Sequence, residues 1–454
     1  MSLNLAGFSS LVSARPAGSR PESPDRPERL HDARQIRVFL WLVLLLMLVG
    51  RGSLGQSALA GDWPQILGPD RNGHAKDERL LEHWPKGGPK QLWKRDVGRG
   101  HAGVAVRDER VVLFHRLGGE EVVEQIRGKD GEQEWKAKFA AHFRGSVVPD
   151  QDGPLCVPVI DNDQVFLYGA GGDLHAVDWK DGQKRWSRAL YRELRSRRGQ
   201  IDYGYFGAGS TPIVEGDTVL VNAGGLSGKG IVALSRADGK TRWAVSDEQP
   251  SYSAPVAVTV NGTRHVLFLT RLNLVSINPV DGAVRFQYPF GKRGPTVNAA
   301  SPVVNRNRVF VTASYGIGGV MARFDQESPQ VVWANDNGMS SQYSTSIYHD
   351  GFLYGVDGRA DGGTASLRCI KFDTGKVVWD EPDFGVATLM LADGKLLIMK
   401  TDGRLVMARP SPDGFQKLAE ARLFDGTVRA LPALSNGKFY ARDDTELKCF
   451  QLGR

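Results

Sequence analysis

The chain has 454 residues, long enough for a large core, with hydrophobic and charged fractions of 41% and 24% that are ordinary for a soluble globular protein. Its formal charge is +7, but the first 60 residues carry seven arginines against four acids, so the remainder is close to neutral and holds no basic run with interleaved aromatics. A nucleic-acid partner is therefore not expected, and 54 glycines suit many short strands and tight turns.

Residues 1–37, rich in Pro, Arg and Ser, have little to bury and read as a disordered leader. Residues 38–49, VFLWLVLLLMLV, form an unbroken apolar run preceded by Arg34 and Arg37, and Ala58-Leu59-Ala60 follows. A basic flank, a short apolar core and a small-residue site describe a signal peptide over residues 38–60, cleaved after Ala60, or an uncleaved anchor. The rest is expected to be exported, periplasmic or in the cell envelope, touching a membrane only through residues 38–49 if these remain. Residues 61–87 read as an extended segment; within it DWPQILGPDRNG (62–73) is turn-rich, aperiodic and expected to lie across the surface of the main domain.

From residue 88 onward the sequence repeats. LHAVDWKDGQKRW (174–186), IVALSRADGKTRW (231–243), LVSINPVDGAVRF (274–286) and LRCIKFDTGKVVW (367–379) share an alternating strand, a turn ending in Gly, and a large aromatic opening the return strand. The small residue of the first strand, Ala176, Ala233, Ser276 or Cys369, would let sheets approach. The aromatics Trp93, Trp135, Trp186, Trp243, Phe286, Trp333 and Trp379 mark seven copies, and residues 405–418 are a worn eighth that has lost its aromatic. The period of roughly 46 residues is that of a four-stranded propeller blade. The last copy has three strands ending near Gln451, while GPKQLW (88–93) resumes the pattern where it breaks off. The fold expected over residues 88–454 is thus all-β: an eight-bladed propeller of four-stranded antiparallel blades, the last closed by an N-terminal strand so that no sheet edge is left open. Seven blades is the rival count, if the worn copy merges with a neighbour.

Chemistry is sparse. The nine histidines form no HxH, HxxxH or HExxH, and no nucleophile elbow, P-loop or dinucleotide fingerprint occurs, so no catalytic residue and no metal ligand is assigned. Asp161-Asn162-Asp163 resembles a cation loop but stands where other copies have a plain hairpin turn. Cys369 and Cys449 share the small-residue slot, and with Cys156 are expected as buried thiols. An insertion over residues 188–200 carries five arginines and reads as a solvated loop, or a contact for an acidic partner. The inner strands offer more. Counting three residues before the proline of five inner strands (Pro158, Pro212, Pro255, Pro302 and Pro432) and carrying the register to the other three, one slot holds His101, Leu155, Gly209, Tyr252, Ala299, Tyr343, Val386 and Arg429, and the position before it holds Ser251, Asn298 and Gln342. These converge on one mouth of the central channel, with Tyr205 just above. The candidate ligand-binding set is His101, Tyr205, Tyr252, Asn298, Gln342, Tyr343 and Arg429, a ring of aromatic, amide and basic groups.

The copies resemble the pyrroloquinoline-quinone (PQQ)-like repeat, whose A-x-D-x-x-T-G-x-x-x-W unit is matched by residues 176–186 and 369–379. DWPQ…GPDRNG, with ASYGIGG (313–319) and QYSTS (342–346), is similar to exported bacterial PQQ-binding-like propellers of the quinoprotein alcohol dehydrogenase-like superfamily. The resemblance implies two alternatives. One is an exported non-catalytic scaffold binding a protein, peptide or glycan at the channel mouth. The other is a PQQ-dependent dehydrogenase of alcohols or sugars, with PQQ held over calcium. The dehydrogenases carry acidic calcium ligands, a Trp under the quinone and an adjacent-cysteine pair; the candidate slots supply none of these, so no cofactor is assigned and the scaffold is the preferred expectation.

Overall fold

The computed structural model describes residues 61–143, 152–196, 206–294, 296–325 and 328–453. The leader and residues 38–60, with Tyr205 and the end of the arginine-rich insertion, lie outside them. Eight four-stranded antiparallel sheets follow one another: blade 1 over residues 105–140, then blades 2 to 7 over 159–189, 213–245, 256–289, 303–335, 347–381 and 387–422. Blade 8 takes three strands from residues 433–451 and its outer strand from Lys90–Asp96, with Trp93 opposite Cys449. The propeller and its N-terminal closure are as the repeats predict, and eight rather than seven is the count.

All inner strands, from Ala105–Arg107 in blade 1 to Ala433–Ser435 in blade 8, run in the same sense. They begin at one end of the channel, the mouth, and end at the other, the floor, where the first hairpin of each blade turns. The repeat's aromatic and Gly both fall on the floor side. Five of the seven aromatics are directly cross-strand from the small residue of their own blade, as Ala176 from Trp186 and Cys369 from Trp379, while Trp135 faces Gln125 and Trp333 faces Met321. The indole lies over the next blade: Trp93, Trp135, Trp186, Trp243 and Trp333 cover the turn glycines 131, 182, 239, 282 and 375. Gly182 shows why glycine is needed, since φ is +73° and a Cβ would come within 2.4 Å of the Trp135 ring. The indole N–H then donates to a carbonyl of the neighbouring turn, Trp135 to Trp179 at 3.0 Å and Trp186 to Arg236 at 2.8 Å. Losing one such ring costs about 3–5 kcal/mol, so these joints hold much of the ring together.

Two joints differ. Phe286 meets Phe324 of blade 5, where no turn glycine waits (centroids 5.9 Å apart). In blade 7 the aromatic slot falls at Ala419, opposite Met407, rather than at Leu418, because the hairpin is longer. Trp84 from the N-terminal segment packs against the same core cluster as Leu418, Ala419 and Ala421. The arginine-rich insertion is not simply solvated: its described part forms a one-turn helix, Leu190–Glu193, burying Leu190 and Tyr191, and Arg188 pairs with Glu193. All three cysteines are buried and free.

Candidate functional site

The channel has two unlike ends. The floor is filled by the protein itself. Residues 62–78 run beneath the inner strands and engage nearly every blade. Trp63, only 2% exposed, exchanges backbone hydrogen bonds with Val106 of blade 1 at 2.8 Å. The Pro64 carbonyl accepts from Ile160 of blade 2, and Ala75 and Gly73 bond Leu391 of blade 7. The Glu78 carboxylate accepts from the backbone of Asn436 and Gly437 in blade 8. At the centre stands Arg71. Its guanidinium, 3% exposed, donates to the carbonyls of Thr211, Pro212 and Pro255 in blades 3 and 4, while its Nε donates to Gln65 Oε1 at 2.7 Å. Gln65 is steadied in turn by the Pro69 carbonyl. Burial lowers the Arg71 pKa from its ordinary value. The turn-rich motif is therefore a plug and not the superficial cover its composition suggests. Beside it a cavity of about 120 Å³ remains, lined by Asp70, Arg71, Val256, Pro302, Arg306 and Thr345, small against the 300 Å³ or more of an ordinary ligand pocket.

At the mouth, each of the eight slot residues stands just ahead of or at the start of an inner strand. Leu155, Gly209, Ala299, Tyr252, Tyr343 and His101 are half-buried, Val386 is buried and Arg429 exposed. They divide into two groups. On one side the Tyr252 ring lies against the backbone of Gly209, its hydroxyl accepts from the Phe206 backbone N–H at 3.0 Å, and its ring meets Phe206 edge-on. Burial raises its pKa. Asn298 is only 1% exposed; its amide donates to the carbonyls of Thr270 and Arg271, and its backbone carbonyl accepts from Tyr252 and Ser253. It frames the mouth rather than facing into it. Gln342 is engaged likewise, donating to the Tyr315 hydroxyl at 2.8 Å and accepting from Ala360. On the other side, His101 Nε2 pairs with Asp444 Oδ1 at 3.2 Å, and the hydrogen bond from His101 holds the Asp444 carboxyl below the usual carboxylate range. Tyr343 packs its ring into the core cluster of blades 6 and 7. Its hydroxyl is buried with no hydrogen-bond partner, and burial pushes its pKa up to about 12, against the lowering influence of Arg429. Arg429 itself makes no hydrogen bond or ion pair with the described residues.

Sequence reasoning missed the charged joints of the mouth half. Glu121, 1% exposed, accepts from the Ala170 N–H of blade 2 through one oxygen, while the other has no partner. Burial raises its pKa to about 7, with Asp173 adding to the rise and Arg116 and His142 opposing it. His142 pairs with Asp173 at 2.9 Å beside it. Glu248 gathers Thr270, Asn273 and Gln287. None of these positions recurs between blades, so the repeat alignment carried no signal for them.

Comparison with known proteins places this geometry. A family model described as outer membrane protein assembly factor BamB matches residues 85–199 and 151–381. No curated protein sequence matches. Among solved structures the fold is similar to BamB from Moraxella catarrhalis, 16% identical, covering 80% of this chain and 99% of that one with a TM-score of 0.57. It is similar also to a quinohemoprotein alcohol dehydrogenase from Pseudomonas putida HK5, 13% identical, covering 87% and 80% with a TM-score of 0.58. A computationally designed protein, Ika8, 12% identical, covers 80% and 99% with a TM-score of 0.53. At these identities the likeness is one of fold. Among the described residues no three His, Cys, Asp or Glu side chains gather round one point.

Proposed function

This chain belongs to the family described as outer membrane protein assembly factor BamB, and from that premise we propose that it is an exported, non-catalytic propeller that binds a protein partner in the cell envelope through its channel mouth. The observation that carries this reading is the asymmetry of the channel. Arg71 and its segment occupy the floor, and the cavity beside them is only about 120 Å³. The mouth presents half-buried Tyr252 and Tyr343 with exposed Arg429, a mix of anchored aromatics and a charge that suits a protein surface. Among the described residues no helix is long and apolar enough to cross a membrane, which leaves β-barrels unaddressed.

The test is a photo-crosslinking residue at position 429, with one at Val280, 83% exposed on the floor face, as control. Capture of one envelope protein from 429 and not from 280 is expected. The melting temperature with PQQ and Ca²⁺ is measured alongside. A ligand at 100 times its Kd adds about 2.7 kcal/mol, so a clear rise would replace the scaffold by a quinoprotein.

A further inference from the structure

The outer wall of the propeller has one edge unlike the other seven. Each blade ends in an outer strand that pairs only on its inner side, so its far row of backbone N–H and C=O groups points away from the sheet. Such a row is a template for another strand, and native sheets block it with charge or proline. Seven outer strands do so: blade 3 with Arg242, blade 4 with Arg285 and Pro289, blade 6 with Asp380 and Glu381, and blades 1, 2, 7 and 8 with several charges each. The outer strand of blade 5, Gln330–Asn335, reads QVVWAN and carries neither. It is also apolar where it is exposed. Among the described residues five large hydrophobic side chains are exposed, and two of them, Val331 at 44% and Val332 at 45%, are neighbours on this strand. Successive residues of a strand point to opposite faces, so the edge is apolar on both. The internal joint does not account for these valines, because it uses Trp333, whose indole covers Gly375 and donates to the Phe372 carbonyl of blade 6.

We propose that the blade 5 edge is where two copies of this chain meet, Gln330–Asn335 pairing antiparallel with the same strand of a second copy about a two-fold axis. The two four-stranded blades then form one continuous sheet. Charge is what singles out a second copy as the occupant. About a two-fold axis every residue of the strand lies against a residue of the same strand, so a charged edge meets its own sign. The blade 2 edge, KRWSRA, would set basic residues against basic residues, whereas QVVWAN brings no charge against a like charge in any register. The nearest cation on the adjoining strand, Arg323, is already engaged with Gln330 and Asp325. The outer strand is the one farthest from the channel, so both mouths stay open and a dimer offers two of them. The pairing therefore goes beyond the reading of the mouth and does not depend on it. A six-residue edge is a short contact, and a dissociation constant in the micromolar range is expected.

Sedimentation velocity of the full chain across that range should show a monomer–dimer equilibrium. Amide protection against hydrogen exchange should rise with concentration over residues 330–335 and on no other outer strand. Val332→Lys should weaken the dimer about tenfold or more, with an unchanged melting temperature because the side chain is exposed. Val284→Lys, at an equally exposed valine on the blocked edge of blade 4, should leave the dimer intact. A monomer at every concentration, a dimer that survives Val332→Lys, or one without protection over residues 330–335 overturns the proposal. Equal weakening by Val284→Lys overturns it too, since it marks a general apolar contact and not edge pairing. If residues 330–335 gain protection in envelope extract but not from added pure chain, the occupant is a strand of another protein and the second copy is wrong. None of these results alters capture from position 429, which tests the mouth separately.

Discussion

The floor half and the mouth half of this propeller are held by different physics. On the floor side, joints repeat: an indole over a glycine turn, one N–H to one carbonyl, and a plug whose central arginine spends all its described donors on backbone oxygens and Gln65. On the mouth side, joints are individual and charged: Glu121 reaching Ala170, Glu248 collecting three partners, the buried Arg442 donating to the Gly98 carbonyl. Several of these leave a polar atom without a partner, among them Glu121 Oε2, Asn298 Oδ1, Tyr343 Oη and one nitrogen of Arg442. Unpartnered polar atoms occur on the floor side too, at Gln164 Nε2 and Asp325 Oδ1, so it is the individuality of the joints and not their satisfaction that separates the halves.

The contrast can be broken most forcefully at Arg71. Replacing it by Ala strips the Thr211, Pro212 and Pro255 carbonyls of their donor inside the channel and leaves a void. A loss of about 4 kcal/mol in urea unfolding is expected, and a loss below ~1 kcal/mol would show that the plug is ornamental. Glu121 gives the next largest effect, and it depends on pH. Its folded pKa, about 7, lies above the ordinary value of 4.5. Between those values the unfolded state gives up its proton first, so stability falls as pH rises from 4.5 through 7. The loss approaches ~3 kcal/mol above that window. Glu121→Gln should flatten this part of the stability profile; an unchanged profile would mean that the carboxyl is already ionised in the fold. The smallest effect is the sharpest comparison, because it uses one substitution on two sides of the mouth. Tyr252→Phe removes the acceptor of the Phe206 N–H and should cost about 1 kcal/mol, whereas Tyr343→Phe removes an unpartnered hydroxyl and should be neutral or slightly stabilising. Equal losses at both would mean that Tyr343 has found an acceptor.

The same division decides what could be read from the sequence. Trp186, Gly182 and Ala176 are legible because the joint they make occurs again and again, so blade number, register and closure followed from spacing alone. The missing aromatic of blade 7 was legible but was counted at Leu418; that the slot falls at Ala419 needed the pairing with Met407. The register slot named His101, Tyr252, Tyr343 and Arg429 together, each a few residues ahead of an inner strand. It could not tell that Asn298 and Gln342 are spent on framework hydrogen bonds, since partner choice depends on loops that differ in every blade. Arg71 was hidden for the opposite reason: it stands in an aperiodic segment, and its partners are mostly carbonyls, which leave no trace in residue identity.

Blade 8 joins Trp93 to Cys449, so the ring cannot become complete until the first part of the propeller finds the last, roughly 360 residues away. Closing a loop of that size costs about 5 kcal/mol of conformational entropy, and nothing returns that cost until plug and outer strand dock together. The seven earlier blades must therefore wait as an open arc with a bare edge at each end. A polypeptide re-cut so that its termini fall in the turn at Gly394, with the old ends fused, would fold outward from what is now its final seam and move the wait to blade 7, where Leu391 must find Leu396.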